Sequence, residues 1–372
     1  MLLNALFLDP SGSGGPETYL RGLAPALRAA HPEARLGVVT TRSGAEALRR
    51  DGWGEWADIR SLPCEEGQRV RRQLAEQVLL PALARRVRAD VVHSLASVAP
   101  IRVPGAAHAI TLHDVTFFRM KTFNAVTTWG MQQVVARAAR HADALIAVTA
   151  AARDDIVAEL GLDPARFSVV HHGATRPQPV EPAPEEQVRG RFGLDGRSVV
   201  LCVASKRPHK NQELLVRAAP MLGDRVAVVL AGHPEPYDAE LRRLAEDLGV
   251  QEAVRFADYV PDAELEALWR LAGVAAFPTR AEGFGMPVLE ALARGVPVAC
   301  TDLPVLHEVS GGLARTFGPD DPAAAAATIS EALRDPGTVA ADGPAWAARF
   351  TWEAAAEGTW EAYRRALGCT SG

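Results

Sequence analysis

One pattern, present twice, restricts the fold more than any other feature. An apolar run of strand length, LLNALFL, is followed by the glycine-rich turn SGSGG and then by the amphipathic stretch PETYLRGLAPALRAAH. Far downstream, RSVVLCV leads through the turn ASKRPHKN into QELLVRAAPML. Strand, turn and helix in that order, with further strands and helices alternating after each, predict a parallel sheet covered by helices. Two such openings predict two Rossmann-like domains.

The segment TRPQPVEPAPEE, with four prolines, separates them. Proline restricts helical freedom, so this stretch reads as a linker at 176–190, with a first domain at 1–175 and a second at 191–349. A chain of 372 residues has the length for two substantial cores. Its net charge of -5 excludes a general nucleic-acid binder, which needs a basic excess. Cys64, Cys202, Cys300 and Cys369 are far apart and form no zinc spacing, so reduced thiols in a cytoplasmic protein are expected. The start MLLNALFLDPSG lacks a basic leader and reads as a strand, and no segment has the length of a membrane span.

The first glycine turn is not a dinucleotide fingerprint, because Glu17 stands where the third glycine belongs. Gly14 and Gly15 nevertheless permit a ligand to approach amides at a helix start. ADVVHSL ends in His93, AHAITLHDV in His113 and Asp114, and strand carboxyl ends are where ligand sites gather. Each histidine is either structural or functional on position alone. Asp114 either orients the imidazole or caps the next loop. The loop TFFRMKTFN reads either as acceptor surface or as packing through Phe117, Phe118 and Phe123. Upstream, QRVRRQLAEQVLLPALARRVRAD combines an apolar stripe with Arg69, Arg71, Arg72, Arg85, Arg86 and Arg88. A solvated face interrupted at Pro81 is the simpler account, and peripheral contact with anionic lipid is the other. The adjacent His171 and His172 have no nearby carboxylate or cysteine to complete a metal set.

The densest chemistry lies in PTRAEGFGMPVLEALARGVPV, residues 278–298. Pro287 suits the first position of a helix, which puts Glu290 in its first turn and Glu282, Gly283, Phe284 and Gly285 in the preceding loop. Amides at such a start favour a phosphate, and carboxylates accept hydrogen bonds from sugar hydroxyls. The plainer reading is that both acids complement the helix dipole.

E-G-F-G-x-P with a second glutamate after seven intervening residues resembles the E-x7-E signature of the retaining glycosyltransferase family 4. The resemblance implies an α/β chain of GT-B fold, two Rossmann-like domains with parallel sheets facing an interdomain cleft, and a C-terminal helix at about 350–368 returning to the first domain. It implies that Glu282 contacts the transferred sugar, Glu290 the nucleotide ribose, and the amides of Gly283, Phe284 and Gly285 the diphosphate. His113 would lie against the donor sugar, Lys210 would stabilise the leaving diphosphate, and Gly232 would border the nucleotide. Gly15 would lie near the donor phosphate, with Gly14 and Asp114 on the acceptor side. The family's arginine five residues before that lysine is here Ser205, followed by Lys206; either Lys206 or Arg207 replaces the missing charge, or both are solvated.

The expected activity is transfer of a sugar from a GDP-, UDP- or dTDP-linked donor to a hydroxyl on a glycan, a lipid-linked acceptor or a small molecule, as in mannosyltransferases. No cofactor is expected, and with no D-x-D triplet in the chain, no metal either. A GT-B sugar-nucleotide epimerase and a non-catalytic nucleotide-sugar binding protein are the alternatives.

Overall fold

A computed structural model of the chain describes residues 1–8, 14–65, 68–119, 125–174 and 180–368. It divides into two compact units, Met1–Gly173 with Thr351–Gly372, and Ala174–Phe350.

The first unit holds a seven-stranded sheet in the order β3-β2-β1-β4-β5-β6-β7. Its strands are β1 (Leu2–Asn4), β2 (Gly37–Thr40), β3 (Asp58–Ser61), β4 (Val91–Ser94), β5 (Ala107–Leu112), β6 (Ala144–Ala147) and β7 (Phe167–Val169), all paired in parallel. Side chains alternate across a strand, so Leu3 and Val38 enter one core while Leu2, Val39 and Val92 enter another. The first core is completed by helix Gly15–Ala30 and helix Trp352–Ala366, whose Tyr363 and Trp352 are buried. Trp352 packs so closely that a β-carbon on Gly22 would lie 2.0 Å from its indole, and one on Gly173 2.6 Å from it. The strand read over residues 2–8 closes at Asn4, because the Leu6 amide donates to Asn4 Oδ1 and turns the chain.

On the second core face lies a rod that runs as α-helix Arg69–Leu74, π-helix Ala75–Leu79 and α-helix Leu80–Arg86. Pro81 therefore does not interrupt it. A proline inside a regular α-helix clashes with the carbonyl four residues back, and the wider π turn just before Pro81 absorbs that conflict. Gln77 fastens the rod to the next loop, donating to Ala99 O and accepting from the Ile101 amide.

The second unit holds a six-stranded parallel sheet in the order β10-β9-β8-β11-β12-β13. Its strands are β8 (Ser198–Val203), β9 (Val226–Ala231), β10 (Val254–Ala257), β11 (Ala272–Phe277), β12 (Val298–Thr301) and β13 (Arg315–Phe317). Strand order reverses between β1 and β4 in the first sheet and between β8 and β11 in the second. Those switch points are where open α/β sheets bind ligands, beyond the strands' carboxyl ends.

The proline-rich linker is narrower than the sequence suggests, since Glu185–Phe192 is already helix. All four prolines precede it, Glu185 and Glu186 complement its dipole, and Gly193 ends it in the left-handed conformation. Cys64, Cys202 and Cys300 are buried free thiols, and burial pushes Cys202 and Cys300 up to about 12. Cys369 lies outside the described residues. Among the described residues no helix is long and apolar enough to cross a membrane.

Candidate functional site

In the second unit, the two strands that meet at the switch point carry the two loops singled out above. Beyond β8, residues Pro208–Lys210 form a single 3-10 turn, and Asn211 follows in the left-handed region at φ 55°. Asparagine tolerates that conformation better than most residues. The buried Asn211 amide donates to Pro278 O at 3.0 Å and to Pro319 O at 2.9 Å, which ties the lysine turn to the loop beyond β11 and to the one beyond β13. The Arg280 amide and Thr279 Oγ1 both donate to His209 O, and Thr301 Oγ1 donates to Thr279 O. Two strand ends are thus laced together before any ligand is considered.

The lacing brings Lys210 Nζ to 2.6 Å from Glu282 Oε2, with both side chains less than a fifth exposed. Burial pushes the Glu282 carboxyl up. The Lys210 ammonium, His209 and the Gly283 amide more than offset this, and its pKa falls below the ordinary value. Lys210 also sits 5.5 Å from the centre of the Phe277 ring. The result is a part-buried carboxylate and ammonium at a switch point, a pair able to take a hydroxyl and an anion.

Helix Met286–Ala293 begins one residue earlier than the proline predicts. Gly285 at φ 94° is its cap, and a β-carbon there would also meet Leu306 at 2.7 Å. Glu290 is consequently the fifth helical residue, beyond the first turn, so complementing the helix dipole does not account for it. The ring of Phe284 is buried edge-on to Phe350 at 6.1 Å, which makes that side chain packing and leaves only its backbone for a ligand role.

Lys206 corrects the sequence reading. Its side chain is fully buried, and its ammonium donates to Gly232 O at 2.8 Å and Asp258 Oδ1 at 3.2 Å, with Asp238 at 3.6 Å. Those acceptors engage the charge inside the fold, which gives Lys206 a structural role that the sequence did not suggest. Arg207 is exposed and paired with Glu235 at 2.7 Å, so it is not simply solvated. Gly232 has its own structural cause: at φ 146°, a β-carbon would stand 2.1 Å from Ala204 O. Its carbonyl accepts from Lys206, and its amide donates to Ala257 O and Asp258 O. Ser205 O accepts from the Gln212 side chain and the Arg207 amide.

In the first unit, His113 follows β5, and its Nε2 lies 2.8 Å from Leu95 O. A carbonyl only accepts, so Nε2 carries the proton. The ring stands edge-on to Tyr19 at 5.2 Å, and Tyr19 stacks on His172 at 4.7 Å. Burial, then His113 and His171, hold His172 well below its ordinary pKa and therefore neutral. Asp114 Oδ1 accepts from the Thr116 amide at 2.7 Å, an Asx-type turn leading into the short helix Thr116–Arg119. His93 is structural: it is buried between Tyr363 Oη at 2.7 Å and Thr111 Oγ1 at 2.8 Å, with burial lowering its pKa to about 3.

Of the glycine turn, Gly14 and Gly15 are described and residues 11–13 are not. Gly14 caps helix Gly15–Ala30. Neither glycine has a positive φ, and a β-carbon would meet only Pro16 at 3.9 Å in one case and nothing in the other. Residues 120–124, with Phe123, lie outside the described residues, as does the ring of Phe117; Phe118 is half-buried. No group of three or more potential metal ligands occurs among the described residues. Sequence reasoning missed Asn211, Thr279, Tyr19 and the burial of Lys206; an asparagine between a basic turn and a helix was the available signal for the first.

Two switch-point sheets, one carrying this lysine–glutamate pair, define the GT-B class. Solved structures agree on the fold: sucrose-phosphate synthase from Thermosynechococcus elongatus has a TM-score of 0.76 at 20% identity, covering 99% of each chain. Alr3699/HepE from Anabaena, solved with UDP and glucose, has a TM-score of 0.75 at 20% identity, covering 97% of this chain and 98% of that one. Sequence profiles are more specific. Residues 13–175 match the profile described as Glycosyltransferase Family 4, and residues 185–343 match Glycosyl transferases group 1. The chain belongs to the family 4 glycosyltransferases.

Among relatives, the D-inositol 3-phosphate glycosyltransferase of Frankia alni is 34% identical over 255 residues, 64% of this chain and 61% of its own length. O-antigen chain mannosyltransferase B of Escherichia coli is 33% identical over 194 residues, 50% of this chain and 51% of its own. The chain thus spans less than two thirds of the length of these curated relatives.

Proposed function

We propose that the protein is a metal-independent retaining glycosyltransferase that moves a sugar from a nucleoside-diphosphate donor to a hydroxyl acceptor. The observation that carries this reading is the Lys210–Glu282 pair, held at 2.6 Å by the Asn211 lacing on the positions of the family motif. An ammonium has three donors and Glu282 engages one, so the same cation can bridge to a diphosphate without giving up the pair. Glu282 would then hold the transferred sugar, Glu290 the ribose, and the backbone of residues 283–285 the phosphates. Within the first unit, His113 and the helix start at Gly14 and Gly15 are the candidates named by the family resemblance, and a β-carbon at Gly14 or Gly15 would meet no backbone or core atom among the described residues.

In the step proposed, the acceptor oxygen bonds to the anomeric carbon on the face from which the diphosphate departs. The C–O bond to phosphate breaks with its electron pair on the phosphate oxygen, which takes the acceptor's proton. No protein nucleophile is needed. Negative charge grows on the diphosphate as that bond breaks, so Lys210 acts more on the transition state than on the bound donor. HepE, crystallised with UDP and glucose, and relatives named for inositol phosphate and mannose transfer favour a sugar nucleotide and a polar acceptor.

The test is turnover and donor affinity of the Lys210→Ala variant. A loss of about 100-fold to 1000-fold in kcat with little change in donor binding is expected. Wild-type turnover removes Lys210 from the mechanism. A thermal-shift panel of nucleoside diphosphates identifies the base, since ligand at 100 times its Kd stabilises by about 2.7 kcal/mol.

A further inference from the structure

The rod Arg69–Arg86 buries one apolar face and exposes another. Leu80, Pro81, Ala75 and Ala84 face the core. On the outward side, Val70 is 73% exposed, Leu74 60% and Val78 61%, and Leu79 is exposed beside them. A spacing of four drifts by about 40° per step around a regular α-helix. The wider π turn between Leu74 and Val78 rotates back, so the three residues keep one bearing. Leu74, Val78 and Leu79 border a depression of about 330 Å³, edged by Arg71 and Pro63. A helix apolar on two faces needs a second cover, since contiguous exposed apolar side chains mark an interaction surface.

Charge identifies the cover. Exposed Arg71 lies at one end of this face, and exposed Arg85, Arg86 and Arg88 lie at the other. Between Gln68 and Ala89 the sequence has a single acid, Glu76. Its side chain points inward, where it accepts from Asn4 Nδ2 at 2.6 Å. Within residues 68–89, therefore, the outward face has an apolar centre and a cationic rim with no exposed carboxylate of its own, the pattern of an interfacial helix on anionic lipid.

We propose that this face is a membrane-docking surface, seating the protein on a bilayer with anionic headgroups. The apolar residues enter the headgroup boundary while the guanidinium groups stay at phosphate level. The inference is independent of the catalytic reading, because neither Lys210 nor Glu282 takes part.

Flotation of the full-length chain with vesicles tests it. Binding is expected to vesicles of phosphatidylcholine mixed with phosphatidylglycerol, and not to phosphatidylcholine alone. Leu74→Glu with Val78→Glu should abolish it while leaving the thermal midpoint unchanged, both positions being solvent-facing. Arg85→Gln with Arg86→Gln should weaken it about thirtyfold, at about 1 kcal/mol per basic residue. Failure to float with anionic vesicles overturns the proposal, as does undiminished flotation of both double variants. It is also overturned if the unbound chain forms a concentration-dependent dimer that Leu74→Glu dissociates, since a second copy then covers the face.

Discussion

Replacing Lys206 by methionine keeps the aliphatic stem in its slot and deletes only the ammonium. Three acceptors then lose a partner, unequally. Gly232 O loses a charge-assisted bond of 2.8 Å, of a kind contributing about 1.5–3 kcal/mol when buried. Asp238, mostly buried, loses a contact at 3.6 Å but keeps Arg242 at 2.6 Å. Asp258 is half exposed and also keeps Arg242, at 2.9 Å, so solvent screens most of its loss. The sum is about 3 kcal/mol, equivalent to about 6–12 °C in Tm for a unit of this size.

Differential scanning calorimetry of the Lys206→Met protein, alone and with the nucleoside diphosphate that most stabilises the wild type, measures both consequences. The expected result is a lower midpoint with the ligand-induced rise intact. An unchanged midpoint with the ligand-induced rise lost would refute the reasoning, because Lys206 would then be a ligand residue and not part of the fold.

Asn211→Ala removes the bonds from the lysine turn to Pro278 and Pro319 and leaves alanine in the left-handed region; a loss of about 2–4 kcal/mol is expected in urea unfolding, with kcat reduced through the loosened Lys210. Burial raises Glu76 from its ordinary 4.5 up to about 7, against the smaller opposing effects of Asn4 and Arg72. The folded state therefore holds the extra proton, and stability falls as pH rises from 4.5 to 7. Glu76→Gln should gain on the order of 3 kcal/mol at pH 8 and nothing below pH 4, read from Tm against pH. Glu282 runs the other way: its lowered pKa contributes stability above 4.5 that is lost on acidification through the folded value, and in Lys210→Met this dependence should vanish or reverse.

Much of the architecture is legible because parallel strands buried on both faces write themselves as short apolar runs, such as VVLCV and VAVVLA. The short strands at sheet margins are less so: Asp58–Ser61 and Arg315–Phe317 carry polar residues, and pairing in the sheet makes them strands. Lys210 and Glu282 were legible as members of a spaced motif, but 72 positions separate them, and only the pairing of β8 with β11 makes them neighbours. The fate of Lys206 was not legible. Lysine in a turn ordinarily faces water, and its burial depends on Asp238, at the start of the helix Asp238–Asp247 that follows β9, and on Asp258, just beyond β10. The exposure of the rod's outward apolar stripe was not legible for a related reason, since periodicity shows that a helix is apolar on some side but not which side the sheet covers.

Trp352, slotted between Gly22 and Gly173, makes the first unit discontinuous along the chain, whereas the second is one uninterrupted segment. During translation Met1–Gly173 must wait for Trp352 and Tyr363, which reach the ribosome's exit only after Ala174–Phe350 has been made. The part synthesised second is free to acquire its native structure first, and a nascent chain halted near Phe350 would carry a finished second unit beside an earlier segment still lacking the helix Trp352–Ala366.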